Sequence, residues 1–208
     1  MNRTISEMHR KPFSQACENN KDPILGVIKD LFADCKSVLE IGSGTGQHAV
    51  YFAEQLQHLT WFTSDRVENL AGIGMWLESA GLENLREPVA LDVCQLVWPA
   101  IKVDAVYTAN TVHIMHWHEV EALFEGVATL LPDGGVFVLY GPVNYQNQYT
   151  SDSNARFDVM LKTRDPESGI RNFEDLNRLA DNAGLILKND FDMPANNRII
   201  SWTKQHSV

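Results

Sequence analysis

The sequence predicts an α/β fold built around a mainly parallel β-sheet. Short β-branched runs alternate with segments of helical periodicity along most of the 208 residues, which is the pattern of strands joined by crossover helices. The last two predicted strands, 185–191 and 198–204, are joined by a linker too short for a parallel crossover, which needs about a dozen residues. These two strands should therefore form an antiparallel hairpin.

The first half of the chain begins with a predicted helix that starts at Asp22 and Pro23, an N-cap and first-turn pair. The N-terminal segment 1–21 precedes this helix, and its polar part, 12–21, is expected to fold over a ligand site without being part of the helix. The elements expected next are a strand at 37–41, a glycine-rich turn, a helix over 49–56, a strand at 60–64 that ends at Asp65, a helix that carries Leu70, Ile73 and Leu77, and a strand at 89–91 that ends at Asp92.

The second half continues the alternation up to a long polar stretch. The residues 141–171 are too many for a structureless loop in a compact domain, so they are predicted to form a lid or a wall of a binding site. The other elements expected here are a strand at 105–109 that ends at Asn110, a helix over 120–130, a strand at 136–140, and a last helix that Asn172 caps and Gly184 closes.

Length, charge and cysteine usage limit the possible functions. A chain of this length predicts one domain over residues 1–208. The net charge of −10 disfavours nucleic acid, and no apolar run is long enough for a membrane span. The chain begins without a secretion signal, and its three cysteines lack C-x-x-C spacing, so a cytoplasmic protein is expected. A small-molecule partner is favoured over a protein, with a monomer or a homodimer expected.

The most informative motif is the glycine-rich turn after the first strand. Glu40, Gly42, Gly44 and Gly46 give the pattern E-x-G-x-G-x-G. Such glycines let the backbone approach a ligand closely, and the helix that follows directs its first N–H groups at an anion. A dinucleotide fingerprint would have its third glycine at position 47, where this chain has Gln47. The motif resembles motif I of the Rossmann-like S-adenosylmethionine-dependent methyltransferases.

Two more segments narrow the resemblance. Residues 14–25 and 165–174 are similar to signatures of an uncharacterised family of methyltransferase-like proteins, although that family more often has arginine where Asn19 stands here. The resemblance covers nearly the whole chain. It implies a Rossmann-like, seven-stranded, mainly parallel sheet with helices on both faces and a C-terminal antiparallel hairpin. It also implies S-adenosyl-L-methionine as cofactor and methyl transfer to an unidentified acceptor.

The expected cofactor residues stand at the ends of the strands. Asp65 can accept the ribose hydroxyls, while Asp92 and the Val93 backbone are placed by the resemblance at the adenine, with a plain turn residue an equal alternative at Asp92. By the same resemblance Glu40 lies near the amino group of the methionine moiety; alternatively, it holds the glycine loop. The remaining predicted contacts are Asn20, Gly42, Ser43, Gly44, Gly46, His48, Arg66 and Asn110. For His48 the favoured alternative is that it only caps the turn.

The segment after the fourth strand should carry the reaction. It reads Asn110-Thr111-Val112-His113, which differs from the Asn-Pro-Pro-Tyr of base and glutamine N-methylases. His113 is the candidate proton acceptor, with a structural histidine as the alternative. No metal is predicted, because the spacing of His113, His116 and His118 does not converge on one site. The predicted substrate contacts are Tyr140, Tyr145, Arg164 and Arg171, the two arginines for an anionic substrate or for surface ion pairs.

Two other functions remain open at this point. The motif indicates cofactor binding and not turnover, so a binding protein without catalysis, such as a sensor or a partner subunit, is one alternative. The other is an NAD(P)-dependent reductase, which the pair Asp65-Arg66 suggests. Gln47 in place of a third glycine and the terminal hairpin argue against the reductase.

Overall fold

A computed structural model describes residues 11–206. The helices are α1 (Gln15–Leu31), α2 (Gln47–Gln55), α3 (Val67–Ala80), α4 (Trp117–Leu130), α5 (Asp152–Arg164) and α6 (Phe173–Asn182). The strands are β1 (Ser37–Ile41), β2 (Thr60–Asp65), β3 (Leu85–Ala90), β4 (Ala105–Ala109), β5 (Val136–Gly141), β6 (Val143–Asn144), β7 (Arg171–Asn172), β8 (Leu185–Met193) and β9 (Asn197–Lys204). No helix within these residues has the length and apolar character needed to cross a membrane.

A seven-stranded sheet forms the centre of the fold, with the strand order β3-β2-β1-β4-β5-β9-β8. The strands from β3 to β5 are parallel, whereas β9 runs antiparallel to both β5 and β8. The predicted Rossmann-like sheet with a C-terminal antiparallel hairpin is confirmed. The order reverses between β1 and β4, which opens a crevice at the carboxyl ends of these strands.

Both faces of the sheet are covered because successive strand residues point to opposite sides. On β5, Phe137 and Leu139 pack into the core that α4 and α6 cover, whereas Val138 and Tyr140 pack into the core that α1 and α2 cover. These strand residues are apolar on both sides, which is the mark of a parallel sheet buried on two faces. The predicted helices on both faces are confirmed.

The first helix corrects one prediction. It begins at Gln15, with the Ser14 hydroxyl accepting from the backbone N–H of Cys17, so Pro23 lies inside the helix and does not open it. Residues 15–21 are therefore helical, and 1–10 of the predicted N-terminal segment 1–21 lie outside the described part. The third strand also begins earlier than predicted, at Leu85, and it ends at Ala90.

The stretch 141–171 contains a helix that the sequence reading missed. Within it lie β6 and α5, and β7 follows directly and pairs with β6 in parallel. Asp158 of α5 is 1% exposed and accepts from the Ile170 backbone N–H at 2.7 Å, which fastens the end of the stretch to the helix. Asn172 precedes α6 as predicted, but its side chain makes no capping hydrogen bond to that helix.

Candidate functional site

A cavity of about 980 Å³ lies at the carboxyl edge of the parallel strands, at the crevice between β1 and β4. Its walls come from the residues after β1, β2 and β4, from α1 and α5, and from the linker between β8 and β9. The predicted site residues that line it are Asn20, Glu40, Gly42, Ser43, Gly44, His48, Asp65, Arg66, Val93, Asn110, His113 and Tyr140.

The glycine turn forms the floor of the cavity, and its three glycines do different things. All three have positive φ, at +74° for Gly42, +59° for Gly44 and +88° for Gly46. A Cβ on Gly42 would come within 2.5 Å of Thr111 Cγ2, so the turn packs directly on the loop after β4. A Cβ on Gly44 would meet nothing within 4 Å. The open space beside Gly44 leaves its backbone available to a ligand.

Gly46 has a packing role. It does not line the cavity, and its missing Cβ would come within 3.3 Å of atoms of Ile73 and Trp76 on α3. The glycine at this position therefore lets α2 begin in close contact with α3. The cofactor contact predicted for Gly46 is not supported by its position.

Asp65 ends β2 beside the glycine turn. Its Oδ2 accepts from the Gly44 N–H at 2.7 Å, and its Oδ1 accepts from the Arg66 N–H and from Asn69 Nδ2, each at 2.7 Å. These three bonds fix the carboxylate at the cavity wall. Oδ1 accepts two of them and Oδ2 accepts one, so Oδ2 is the oxygen that retains a free lone pair. The Arg66 guanidinium turns to Glu119 at the start of α4, with which it forms an ion pair. Asp65 is thus fixed in orientation on the cavity lining, and its Oδ2 can still accept a hydrogen bond from a ligand.

Glu40 is the most deeply buried carboxyl of the cavity wall, at 2% exposure. Its Oε2 accepts from Ser43 Oγ at 3.1 Å and from Trp61 Nε1 at 3.2 Å. Burial raises the pKa of Glu40 to about 7, and these two hydrogen bonds offset only part of that rise. The nearby Tyr107 hydroxyl is buried with no hydrogen-bond partner among residues 11–206. Glu40 therefore changes its charge near neutral pH, inside the cavity wall.

The first helix closes one side of the cavity through contacts with α2. The Gln47 side chain accepts from the Ser14 N–H and donates to Glu18, each at 2.6 Å. His48 Nε2 lies 2.7 Å from Asn20 Oδ1, and burial lowers the pKa of His48 to about 4. The sequence reading missed Ser14 and Glu18, although the polar side chains of 14–20 were the signal that this segment faces other polar groups.

Replacing His48 with glutamine should flatten the acid dependence of stability. Between pH 6.5 and 4 the unfolded chain protonates His48 while the folded protein keeps it neutral, so stability is lost as the pH falls. From pH 7 to pH 5 this loss amounts to about 2 kcal/mol, which His48→Gln should remove from the free energy of unfolding measured by urea titration. If the wild type and His48→Gln lost the same free energy of unfolding between pH 7 and pH 5, a neutral buried His48 would be contradicted. His58→Gln serves as the control variant.

The loop after β4 brings Asn110 and His113 to the cavity. Asn110 has a left-handed backbone, with φ of +58°, a conformation that non-glycine residues adopt at a cost. His113 is 4% exposed, and its ring packs edge-on against Phe157 of α5 with centroids 5.2 Å apart. Burial lowers the pKa of His113 to about 4, with a smaller effect from the Arg171 charge. Its Nδ1 has no hydrogen-bond partner in the described part of the chain.

An ion-pair network borders the same mouth of the cavity. His116 Nε2 lies 2.8 Å from Asp165 Oδ2, and its Nδ1 lies 2.8 Å from Glu167 Oε2. The hydrogen bond to Asp165 raises the pKa of His116, which favours the imidazolium. Glu119 accepts from the His116 N–H at 2.7 Å. Among the described residues, no three His, Cys, Asp or Glu side chains converge to hold a metal ion.

Four other predicted residues lie away from the cavity wall. Asp92 is exposed, and its Oδ1 accepts from the Cys94 N–H at 3.0 Å, the turn geometry that was the alternative for it. The Tyr145 hydroxyl donates to Asp190, and Arg164 is exposed in the last turn of α5. Arg171 donates to backbone carbonyls. The substrate contacts predicted for Tyr145, Arg164 and Arg171 are therefore not supported by their positions.

Solved methyltransferase structures share this fold. Human N-acetylserotonin methyltransferase in complex with SAM matches with a TM-score of 0.80 and 13% identity, over 92% of this chain and 53% of that chain. The S-adenosylmethionine-dependent methyltransferase SibL in its apo form matches with a TM-score of 0.79 and 20% identity, over 92% of this chain and 56% of that chain. An O-methyltransferase family protein from Burkholderia thailandensis matches with a TM-score of 0.77 and 13% identity, over 90% of this chain and 57% of that chain. This chain spans little more than half of their length, and at these identities the likeness shows the fold alone.

The family is shown by the sequence itself. A family model described as a protein of unknown function, DUF938, matches residues 11–204. This match covers nearly the whole chain, including the glycine turn, the loop after β4 and the segment 165–174. Together with the fold, it confirms the predicted uncharacterised, methyltransferase-like family. The chain belongs to the DUF938 family of proteins of unknown function.

Proposed function

We propose that this protein is an S-adenosyl-L-methionine-dependent methyltransferase that acts on an uncharged small molecule. The observation that carries the proposal is the Gly44 backbone, which faces open space in a cavity of about 980 Å³, with the Asp65 carboxylate fixed beside it. A carboxylate at the end of a strand can accept hydrogen bonds from the two ribose hydroxyls of a nucleoside. A glycine whose missing Cβ would meet no other atom lets a ligand approach its backbone closely.

The rest of the cavity wall fits this cofactor. Leu91, Val93 and Met115 supply an apolar part of the lining, suited to a flat purine ring, and the Leu91 N–H donates to the Asp65 carbonyl at 2.9 Å. Glu40, Asp65 and other carboxylates on the wall favour a ligand that carries positive charge. We assign the ribose to Asp65, the adenine to the wall around Val93 and the methionine moiety to the side of Glu40.

Another part of the cavity lining suits an acceptor without charge. This part includes Tyr140, Phe157, Ile114, Ala195 and the neutral imidazole of His113. Arg66 is the one arginine on the lining within residues 11–206, and Glu119 already neutralises it. No lysine of that range lines the cavity. The His116 imidazolium also lines the cavity, but Asp165 and Glu167 already pair with it. An anionic acceptor would therefore lose its hydration without gaining an unpaired cation, which is costly.

The chemistry follows from positioning. When bound, S-adenosyl-L-methionine supplies an electrophilic methyl group, and transfer is an in-line displacement that gains most from orientation of the two reactants. The chain holds the reactants in a cavity walled by α1 and α5. His113 is neutral at pH 7 and can accept a proton. A weak base suffices if the acceptor hydroxyl loses its proton as its oxygen gains the methyl group, because this makes the proton far more acidic.

Cofactor binding without catalysis remains the second candidate, and one observation favours it. Catalytic imidazoles commonly donate their second N–H to a fixed acceptor, which sets the tautomer. His113 Nδ1 lacks such an acceptor in the described part of the chain. A protein of this kind would bind S-adenosylhomocysteine tightly and transfer no methyl group from labelled S-adenosyl-L-methionine to a panel of uncharged hydroxyl and amine acceptors.

Isothermal titration with S-adenosylhomocysteine tests the proposed cofactor, with NADH as the control ligand. We expect micromolar binding of S-adenosylhomocysteine, about 8 kcal/mol of binding free energy, and no heat from NADH. Binding of NADH alone would overturn the proposal in favour of a reductase. Binding of neither would contradict the cofactor assignment.

A further inference from the structure

Arg171 points its guanidinium at the backbone beneath the cavity. Its Nε donates to the Val112 carbonyl at 3.1 Å, and one terminal nitrogen donates to the carbonyls of Met115 and Glu167. The guanidinium also lies 5.8 Å from the ring centroid of Trp117. All of these partners belong to this chain, so Nε and one terminal nitrogen of Arg171 already donate hydrogen bonds without a substrate.

Residues 168–171 bind four consecutive carbonyls, those of residues 112–115, in the loop that carries His113. The Gly169 N–H donates to the His113 carbonyl at 2.9 Å, and Ser168 Oγ donates to the Ile114 carbonyl at 3.0 Å. With the two bonds from Arg171, the carbonyls of residues 112–115 are all satisfied by residues 168–171. The backbone on both sides of the His113 side chain is thereby fixed.

Residues 168–171 are themselves held in place by the rest of the chain. The Ile170 N–H bonds the buried carboxylate of Asp158, which also accepts from Lys162 Nζ at 2.6 Å. On their other side, Asp165 and Glu167 hold His116. Residues 165–171 therefore form a rigid link between α5 and the loop after β4. That loop needs such support, because it starts with the left-handed backbone of Asn110.

We propose that Arg171 is a positioning residue, which fixes the loop 112–115 and thereby the direction in which the His113 ring faces the methyl acceptor. The statement about the acceptor rests on the proposed function, whereas the statement about the His113 ring does not. A planar guanidinium can bond several carbonyls in a fixed geometry, which an ammonium on a flexible stem cannot do. Charge alone is therefore insufficient at this position.

Arg171→Lys is the decisive variant, because it keeps the charge and loses the fork. The His113 ring signals are followed by NMR as a function of pH and assigned by their absence in His113→Gln. A loosened loop admits water to the ring, so we expect the pKa of His113 to rise from about 4 toward the 6.5 of a solvated histidine. Arg156→Lys makes the same exchange on α5, away from the cavity wall, and should leave the His113 pKa unchanged.

A second variant covers the case in which Arg171→Lys does not fold. Ser168→Ala removes only the bond to the Ile114 carbonyl and should raise the His113 pKa by a smaller amount. An unchanged His113 titration in a folded Arg171→Lys protein would overturn the proposal. None of these measurements needs a ligand, so failure of the wild-type protein to bind S-adenosylhomocysteine would count against the proposed function alone.

Discussion

Replacing Gly44 with alanine should weaken S-adenosylhomocysteine binding by about a hundredfold or more, close to 3 kcal/mol. The backbone of Gly44 is left-handed and its N–H is held by Asp65 at 2.7 Å, so the turn cannot shift to make room. A Cβ at this position would enter the open space of the cavity, where the ligand has to approach the backbone. The loss should appear in isothermal titration as a raised dissociation constant.

Gly81→Ala is a matched control for this substitution. Gly81 has φ of +61° and no atom within 4 Å of its missing Cβ, as Gly44 does, but it ends α3 outside the cavity wall. Each substitution puts an L-residue in the left-handed region, which costs about 1–2 kcal/mol, so both should lower the melting temperature similarly. Equal affinities in the two variants would show that the glycine turn is not the binding site.

Hydrophobic periodicity was sufficient to predict a mainly parallel α/β sheet, and the short last linker to predict its hairpin, whereas the seven strands and the Rossmann-like order were implied by the resemblance to methyltransferases. The alternation along β1, β2, β4 and β5 and the short linker before β9 leave few topologies open. The strand-end position of Asp65 was predictable for the same reason, since strand ends of a parallel sheet meet at one edge. Both predictions depend on the path of the backbone and not on the direction of a side chain.

Side-chain direction is harder to predict from the sequence than the position of a strand end. Arg171 and Tyr145 have long side chains whose partners come from distant parts of the chain: the carbonyls of Val112 and Met115 for Arg171, and Asp190 for Tyr145. Asp92 turns back to its own backbone, a choice that a strand-end position does not decide. The start of α1 was wrong because proline is favoured in the first turn, whereas here the capping serine stands nine residues before Pro23.

Replacing Glu40 with glutamine should stabilise the protein at alkaline pH and leave its stability nearly unchanged at pH 5. The folded protein keeps a proton on Glu40 up to a pKa of about 7, whereas the unfolded chain releases it near 4.5. Stability is therefore fully present below pH 4.5 and is lost as the pH rises through 7. Between pH 5 and pH 8 the loss is about 2.5 kcal/mol, and Glu40→Gln should abolish it in urea titrations.

The exposed Glu87 provides the control, because Glu87→Gln should leave the pH dependence as it is in the wild type. A Glu40→Gln protein that loses stability between pH 5 and pH 8 as steeply as the wild type would contradict a buried, protonated Glu40. Glutamine keeps an oxygen that can accept from Ser43 and Trp61, so the glycine loop should remain in place.

The same variant separates the two roles that the sequence left open for Glu40. If the carboxylate only supports the glycine loop, S-adenosylhomocysteine should bind Glu40→Gln as it binds the wild type. If the carboxylate meets the ligand's ammonium group, glutamine removes a charge-assisted hydrogen bond of about 1.5–3 kcal/mol, and the affinity falls by about tenfold or more. In that case a carboxyl that destabilises the fold above pH 7 is retained because it binds the cofactor, and stability and function oppose each other at this position.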